Sequence, residues 1–452
     1  MQAFTLTRSV VRDIHEGARL LFSWVHKLKD PKEALCVKIL LACLDIERFI
    51  GASSGLMRAY FRSRDQDLEL GGLGVAHKLL GQWMFLSDQQ AMLAPDQFYM
   101  GGMSFDSRGA FAPEWQGFGQ ELFFLPLLQV CKRQRSIAMM INYYPDDHMP
   151  FGAWRDHALS VLKAQSEPCE LADLSFSGIS CSQEPSFERY AKNIEQAKNI
   201  FKDNSQCRKV VLGRRNTHVF TEPIDPVRLF FLLANKSYKG FSFLLDAGLG
   251  GVFFGVSPEL LFRRLGRNFE TESLAGTRPR SSDESEDARL QAELFNSYKD
   301  QLEHALVCEH IEQSLREFGA TDLFTSRLEV MSLPFVQHLV KRYHGHIDTR
   351  LSDDHIIKAL HPTPAVCGLD GNWALEFIRE HEGFDRGFYA GPTGYVGLDQ
   401  AEFAVAIRSA LYYEKQLHVY AACGIVAESE AAQEWEELTN KQKNITSILK
   451  RL

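Results

Sequence analysis

The chain has 452 residues, of which 45% are hydrophobic and 24% charged, and its formal net charge is −8. This is the composition of an ordinary globular protein with enough apolar residues for a large core. The excess of acidic residues, without a basic stripe, argues against nucleic acid as a partner.

Three further features bear on the compartment. The N-terminal "MQAFTLTRSVVRDIHEG" has no charged head followed by an apolar run, so we expect no signal peptide. The segment "ALCVKILLACL" is short and contains Lys38, which predicts a buried helix rather than a membrane span. Nine cysteines without a CxxC pair predict reduced thiols. We therefore expect a cytoplasmic protein without membrane association.

Up to about residue 180, short apolar runs alternate with glycine-rich turns such as "ELGGLGVAH", "YMGGMSFD" and "WQGFGQELFFLP". Apolar runs of this length between turn residues are typical of strands. We predict that this part of the chain forms a sheet of successive strands joined by tight turns.

The first clear helix is predicted from Phe187 to Phe201, where apolar residues recur at spacings of three and four. Strands are predicted at "RKVVLGRR", within "GFSFLLDAGLGGVFFGVSPELLFRR" and at "RNFETESLAGT". One long helix is predicted from about Asp287 through "LQAELFNSYKDQLEHALVCEHIEQSLREFG".

Further strands are predicted at "RLEVMSL", "GFYAGPTGYVGL", "AEFAVAIRSALYY" and "QLHVYAACGIV", with a closing helix from about Glu430. Successive strands with short turns, and helices grouped between them, favour an α/β fold of the α+β type with large, mostly antiparallel sheets. A regular βαβ alternation is missing, which argues against a Rossmann or TIM-barrel fold.

Two segments carry carboxylates three residues apart: Asp300 and Glu303 in "YKDQLEHALV", and Glu434 and Glu437 in "AQEWEELTNK". Residues at this spacing share one face of a helix. Solvated helix faces explain most such pairs, but both pairs have apolar neighbours. Two carboxylates from each of two helices would also suit Mg²⁺, which prefers a few carboxylates plus waters and substrate oxygens.

Two single residues have both a structural and a chemical interpretation. Lys209, in the apolar "KVVLGRR", is either a strand-edge lysine that reaches water or a desolvated base. Glu259 follows Ser257 and Pro258, and it is either a solvated turn carboxylate or a general acid with a raised pKa. His338, in "PFVQHLV", has the pattern of a core histidine.

Taken together in this order, "KVVLGR", "FGVSPELLFR", "LAGTRPR", "KDQLEH", "VQHL", "LHPTPAVCG", "GFYAGPTGY", "EFAVAIRSAL", "ACGIVAESE" and "EWEELTNK" closely resemble the chorismate-utilising enzymes. This family includes anthranilate, aminodeoxychorismate, salicylate and isochorismate synthases. The resemblance implies one α/β domain over residues 1–452, with two large sheets, helices outside and the active site in a cleft. About 1–180 is the N-terminal half, and about 187–452 is the motif-dense catalytic half.

The resemblance also implies a role for each matched residue. Lys209 matches the general base and Glu259 the general acid, while Glu303 and Glu437 match ligands of Mg²⁺. Asp300 and Glu434 match supporting carboxylates beside these ligands. The positions that match substrate contacts are Gly276, Thr277, His338, Ala365, Tyr389, Arg408, Gly424 and Lys441.

The implied activity is that of an isochorismate synthase of the menaquinone-pathway type, which converts chorismate reversibly to isochorismate. Lys209 favours water as the nucleophile, because anthranilate synthases carry glutamine there. Ala365 favours an isomerase over salicylate synthase, which tends to have threonine at that position. Salicylate synthase and a siderophore-pathway isochorismate synthase are the alternatives. We expect chorismate as substrate, no glutaminase subunit, and a monomer or homodimer.

Overall fold

The computed structural model of the chain describes residues 2–7, 9–53, 55–79, 90, 92–109, 111–134, 136–145, 149–168, 174, 179–204, 206–237, 239–333, 336–348 and 350–450. The strands are β1 (Gln2–Thr5), β2 (Leu35–Leu41), β3 (Arg58–Arg62), β4 (Leu68–Leu79), β5 (Tyr99–Met103), β6 (Glu121–Arg133), β7 (Ser136–Tyr143), β8 (Ile179–Glu184), β9 (Val210–Phe220), β10 (Phe241–Asp246), β11 (Val252–Ser257), β12 (Leu260–Leu265), β13 (Asn268–Pro279), β14 (Thr321–Thr325), β15 (Glu329–Ser332), β16 (Val336–His346), β17 (Pro392–Val396), β18 (Gln400–Val405), β19 (Ser409–Tyr413) and β20 (Gln416–Ile425). The α-helices are α1 (Ile14–Lys27), α2 (Ile46–Gly51), α3 (Phe151–Ser166), α4 (Phe187–Asp203), α5 (Pro226–Lys236), α6 (Glu284–Asn296), α7 (Tyr298–Glu317), α8 (Asp353–Leu360), α9 (Gly371–His381) and α10 (Ala431–Leu449).

The strands form two large sheets that share β6. The N-terminal end of β6 pairs with β5, and its C-terminal part pairs with β7, while β4 lies along its other edge. The first sheet has the order β1-β2-β7-β6-β4-β3-β10-β11-β19-β20-β9-β8. The second runs β6-β5-β17-β18-β12-β13-β16, with β14 and β15 beside β16.

The pairings are antiparallel in both sheets, apart from the parallel β1–β2 pair at one end. Helices α7 and α10 contact β13 and β20 respectively, so each sheet carries one of the two helices that hold the paired carboxylates. The predicted α/β fold, with large and mostly antiparallel sheets flanked by helices, is confirmed. The extent of the single domain, residues 1–452, stays a prediction.

Three predicted elements were wrong in detail. The apolar run around Lys38 is a strand, because β2 bonds to β1 and β7 along its two edges. The predicted long helix is divided into α6 and α7 at Ser297, whose extended backbone lets its hydroxyl cap α7 by accepting from the Asp300 amide. The predicted strand over "AEFAVAIRSALYY" is two strands, separated at Arg408 by a left-handed backbone (φ 55°).

Trp115 joins the N-terminal half of the chain to the catalytic half. It is fully buried, and its ring lies 5.3 Å from the ring of Phe253 and 6.2 Å from that of Tyr420. Gly387 lies against the face of the indole, and a Cβ atom at that position would fall 2.0 Å from Trp115 Cδ2. One aromatic side chain therefore fixes contacts between segments that are distant in sequence.

We expect Trp115→Ala to destabilise the protein by about 3–5 kcal/mol, because it removes a large buried ring and leaves a cavity. The measurement is the shift of the urea-unfolding midpoint. Phe324→Ala is the control, since Phe324 is 64% exposed on β14 and should change stability by less than about 0.5 kcal/mol. Equal shifts for the two variants would contradict the prediction.

Candidate active site

A cavity with about 670 Å³ of atom-free space lies between the two sheets. Its walls come from β9 and β20 of the first sheet, from β13 and β16 of the second, and from α7 and α10. Most of the predicted site residues line it: Glu259, Gly276, Thr277, Glu303, His338, Ala365, Tyr389, Arg408, Gly424, Glu437 and Lys441. Lys209, Asp300 and Glu434 do not line the cavity, but each lies against a residue that does.

Lys209 immediately precedes β9 and is fully buried. Its Nζ lies 3.0 Å from Glu303 Oε1, yet it makes no hydrogen bond of acceptable geometry with any described residue. Its carbonyl accepts from the Leu369 amide at 2.9 Å, which joins this backbone to the loop that carries Ala365. The lysine side chain is therefore buried at the edge of the cavity with one carboxylate beside it.

Gly424, on β20, faces this ion pair. A Cβ atom there would lie 2.3 Å from Glu303 Oε1 and 2.8 Å from Lys209 Cε. Any side chain would displace one of these two groups, because the contact is far shorter than van der Waals distance. Glycine is thus required at position 424 for Lys209 and Glu303 to meet.

Glu259 follows β11 and is 4% exposed. Burial, and then the neighbouring negative charge of Glu272, raise the pKa of the Glu259 carboxyl to about 8. The group is therefore mostly protonated at neutral pH. A buried, protonated carboxyl in a cavity is suited to donate a proton.

The four carboxylates that the sequence pairs on α7 and α10, Asp300, Glu303, Glu434 and Glu437, are each matched by a separate cation. Two of these pairs face the cavity: Glu303 with Lys209, and Glu437 with Lys441 at 2.7 Å. The other two pairs lie behind it: Asp300 with Arg278 at 2.8 Å, and Glu434 with Lys299 at 2.6 Å. The clustered acids therefore do not stand as uncompensated charges.

The two carboxylates of α10 differ in their environment. Burial, and then the charge of Glu437, raise the pKa of Glu434. Burial opposes ionisation of Glu437 too, but Lys441 and Lys299 outweigh it and lower the pKa of Glu437. Glu437 is consequently the ionised member of the pair at neutral pH, and it is the one that lines the cavity.

Donors of the kind that could hold a divalent cation lie at this surface and beside it. Ligand atoms of Cys423, Glu434 and Glu437 lie within 4.8 Å of one another, and Glu303 faces the same cavity from α7. Burial, and then Glu437, raise the pKa of the Cys423 thiol, which donates to the Glu434 carbonyl. A protonated thiol is a poor ligand, so the available set consists of carboxylate oxygens, the donors that Mg²⁺ prefers.

Arg408 is the cation of the cavity that has no carboxylate partner among the described residues. It is 9% exposed and has a left-handed backbone (φ 55°), which is unusual for a residue with a side chain. Its Nη1 donates to the Lys441 carbonyl at 3.1 Å, and Nη2 lies 3.5 Å from His338 Nε2. The guanidinium group is therefore available to an anion that enters the cavity.

His338, on β16, is neutral. Burial, and then the charge of Arg408, lower its pKa to about 3. Its Nδ1 lies 3.0 Å from the Gly276 carbonyl, which can only accept, so Nδ1 carries the proton and Nε2 faces Arg408 as an acceptor. Gly276 forms the bulge between Ala275 and Thr277 with φ 72°, a conformation that favours glycine.

The aromatic wall of the cavity is a stacked pair, Tyr389 and Tyr420, whose ring centroids lie 5.0 Å apart. Tyr420 was missed from the sequence, although "QLHVYAACGIV" placed it on a predicted strand two positions before Ala422. Arg278 and Lys299 were missed as well. The only local signal for them was their position beside motif residues, in "GTRPR" and "YKDQLEH".

Comparison with known proteins identifies the family. The chorismate binding enzyme profile matches residues 48–450. The chloroplastic isochorismate synthase 2 of Arabidopsis thaliana is 33% identical over 360 residues, covering 77% of this chain and 63% of that protein. Isochorismate synthase MenF of Bacillus subtilis is 31% identical over 365 residues, covering 80% and 76%. The structure of MenF, the menaquinone-specific isochorismate synthase from Escherichia coli, superposes with a TM-score of 0.83 at 25% identity, covering 96% of this chain and 98% of that one.

The chain therefore belongs to the chorismate-binding enzyme family. It spans about 63% of the length of the Arabidopsis relative.

No helix in the described ranges is both long and apolar enough to cross a bilayer. The cysteines at 36, 43, 131, 181, 207, 308, 367 and 423 are free thiols.

The raised pKa of Glu259 predicts a pH-dependent effect of Glu259→Gln on stability. The wild-type carboxyl takes up a proton on folding between its ordinary pKa of 4.5 and about 8, so its favourable contribution is complete below 4.5 and lost by about pH 8. Glutamine resembles the protonated acid at every pH. The melting temperature of the variant minus that of the wild type should therefore increase from pH 5 to pH 8. A difference that stays constant over this range would contradict the prediction.

Proposed function

We propose that this protein is an isochorismate synthase, which interconverts chorismate and isochorismate. The observation that carries the proposal is the buried guanidinium of Arg408, which has no carboxylate partner among the described residues and lies in the same cavity as Glu259 and the Lys209–Glu303 pair. Chorismate carries two carboxylates, so it needs both a fixed cation and a second positive centre. The family membership and the isochorismate synthase relatives support the same assignment.

In the proposed reaction, neutral Lys209 takes a proton from a water molecule, and the water oxygen bonds to C2 of the ring. The ring double bonds shift, the bond between C4 and its hydroxyl oxygen breaks, and Glu259 gives its proton to the departing hydroxyl. One water is consumed and one is released, so the product is an isomer. The reverse reaction uses the same two groups with their protonation exchanged, which makes the conversion reversible.

Glu303 and Glu437 would hold Mg²⁺, with Asp300 and Glu434 supporting them from behind. When bound, the ion would supply a positive centre for one substrate carboxylate. Arg408 would bind the other carboxylate, and its position is supported by the neutral His338 and by the Lys441 carbonyl. Lys441 would contact the substrate as a further cation.

The remaining proposed contacts shape the cavity. The backbone would lie close to the substrate ring at Gly276, Thr277 and Gly424, where the two glycines add no side-chain bulk. Tyr389 gives an apolar face against which that ring can lie. Ala365 lies on the loop tied to Lys209, and its small side chain favours release of isochorismate over the onward elimination of pyruvate. Salicylate synthase is the alternative function that Ala365 argues against.

For the pathway, we propose menaquinone biosynthesis, since two of the similar proteins are named MenF. A siderophore pathway is the alternative.

We further propose one domain over residues 1–452, a cytoplasmic location, a monomer or homodimer, and no glutaminase subunit. The last point follows from the use of water, because an enzyme that adds water needs no source of ammonia.

The first experiment is incubation of the protein with chorismate, with and without Mg²⁺, and separation of the products. We expect isochorismate with Mg²⁺ and neither salicylate nor pyruvate. Lys209→Ala and Glu259→Gln should lower kcat by about 10²- to 10⁴-fold, the usual contribution of a general base or acid. Wild-type kcat should fall above about pH 8, where Glu259 loses its proton.

Lys415→Ala, at an exposed position between β19 and β20, is the control and should keep full activity. Salicylate together with pyruvate would assign the protein to the lyase branch of the family. Full activity in Lys209→Ala would refute the proposed base.

Replacing Lys209 should strengthen metal binding even though it abolishes turnover. A cation shared by Glu303 and Glu437 would compete with the Lys209 and Lys441 side chains for these two carboxylates. We expect Lys209→Met to bind Mg²⁺ about tenfold more tightly than wild type, equivalent to about 1.4 kcal/mol. Isothermal titration of the protein with Mg²⁺, without substrate, measures this.

Two further variants complete that titration. Glu303→Gln should abolish binding, because it removes a proposed ligand. Lys38→Met should leave the affinity unchanged, since Lys38 forms a similar ion pair with Asp96 at 2.6 Å on β2, outside the cavity. Weaker binding in Lys209→Met than in Lys38→Met would contradict competition between the lysine and the metal.

A further inference from the structure

Arg214, on β9, is a buried cation that the proposed reaction does not use. Its side chain is fully buried, and no carboxylate of the described residues lies within ion-pair distance. Its Nε and Nη1 atoms make no hydrogen bond with described residues. Burial lowers the pKa of this arginine, which expresses the cost of keeping the charge there.

The side-chain hydrogen bonds of Arg214 to described residues, and its contact with an aromatic ring, lead to one helix, α10. Its guanidinium carbon lies 4.2 Å above the ring centroid of Trp435, a cation–π geometry. Its Nη2 donates to Thr439 Oγ1 at 3.0 Å and to Gln442 Oε1 at 2.8 Å. Gln442 is fixed in turn, because its Nε2 donates to the Val419 carbonyl of β20 at 2.9 Å.

Trp435, Thr439 and Gln442 lie at positions i, i+4 and i+7, so they follow one face of α10 over two turns. The residues proposed to hold metal and substrate, Glu437 and Lys441, lie on the nearly opposite face of the same turns, about 150° around the helix axis. A helix fastened at three successive points cannot rotate or slide without breaking one of them. The rotation of α10 therefore determines how far Glu437 and Lys441 reach into the cavity.

Tyr190 of α4 packs on Trp435 as well, with ring centroids 5.3 Å apart. That apolar contact would bury α10 against the protein, but it carries no directional bond. The two hydrogen bonds from Arg214 are directional, and they start on β9, five residues after Lys209. They connect the strand that follows the proposed base to the helix that bears the proposed ligands.

We propose that Arg214 is a positioning residue, which sets the rotation and axial position of α10 and thereby aligns Glu437 and Lys441 with Lys209. The expected effect of Arg214 on turnover rests on the proposed function. Its effect on the position of α10 does not depend on that function. An apolar residue of similar length would fill the same space without the cost of a buried charge, so stability and positioning are separable.

The test is Arg214→Met, with Arg62→Met as the matched control. Arg62, on β3, also donates to two neutral acceptors, the Ala234 carbonyl and Ser242 Oγ, and no described carboxylate pairs with it. We expect Arg214→Met to keep its melting temperature, while hydrogen exchange in residues 431–449 becomes faster. In the same variant, kcat should fall or the Mg²⁺ concentration for half-maximal rate should rise by about 10–100-fold, the usual effect of losing a supporting contact.

Arg62→Met should change neither the exchange of α10 nor the Mg²⁺ response. Unchanged exchange and unchanged Mg²⁺ response in Arg214→Met would overturn the proposal, whatever its melting temperature. If Arg214→Met does not fold, Thr439→Val takes its place, because it removes one of the two hydrogen bonds and keeps the side-chain shape. Thr439→Val should shift the same readouts by a few fold, and no shift would overturn the proposal.

The outcomes separate this inference from the proposed function. A wild-type protein that does not convert chorismate refutes the function, yet hydrogen exchange of α10 still tests the positioning. A wild-type enzyme with normal turnover and an unaffected Arg214→Met variant refutes the positioning alone.

Discussion

Four carboxylates meet beside one cavity on two helices, and their neutralisation is the constraint on which the other features depend. Like charges this close are tolerated only when opposite charges lie beside them. The cations come from different parts of the chain: Lys209 precedes β9, Arg278 lies on β13, Lys299 on α7 and Lys441 on α10. The arrangement therefore requires both sheets and both helices to pack together before the charges are balanced.

The same constraint explains why small residues surround the acids. Gly424 leaves room for Glu303 to reach Lys209, and Gly276 forms a bulge against Asp300, where a Cβ atom would lie 3.0 Å from the Asp300 Cβ. Arg408 differs from the four paired cations, because no carboxylate among the described residues pairs with its guanidinium, which faces the cavity. The site thus combines balanced charges, which hold the fold, with one uncompensated charge, which a substrate anion can satisfy.

Much of the fold followed from local pattern. The helix beginning at Phe187 and the strands at "RKVVLGRR" and "QLHVYAACGIV" were predicted correctly, because hydrophobic periodicity over such lengths reflects one dominant environment. The segment around Lys38 was not, since a short apolar run has no periodicity that distinguishes a buried helix from a strand with partners on both edges. The break at Ser297 was also missed, because a serine cap within a helical pattern competes with continuation of the helix.

By itself, the sequence determined the motif residues, the family they resemble and the helical spacing that puts Asp300 beside Glu303 and Glu434 beside Glu437. These properties are local, because the period of a helix depends only on its own backbone. Only the tertiary structure decided that Glu303 meets Lys209, that Asp300 meets Arg278 and that Glu434 meets Lys299. It also decided that no carboxylate of the described residues pairs with Arg408, and that Arg214 lies beneath Trp435. Glu437 and Lys441 are four residues apart on one helix, but the other partners are far apart along the chain, and nothing in a local pattern specifies a contact that two sheets and two helices must first pack to create.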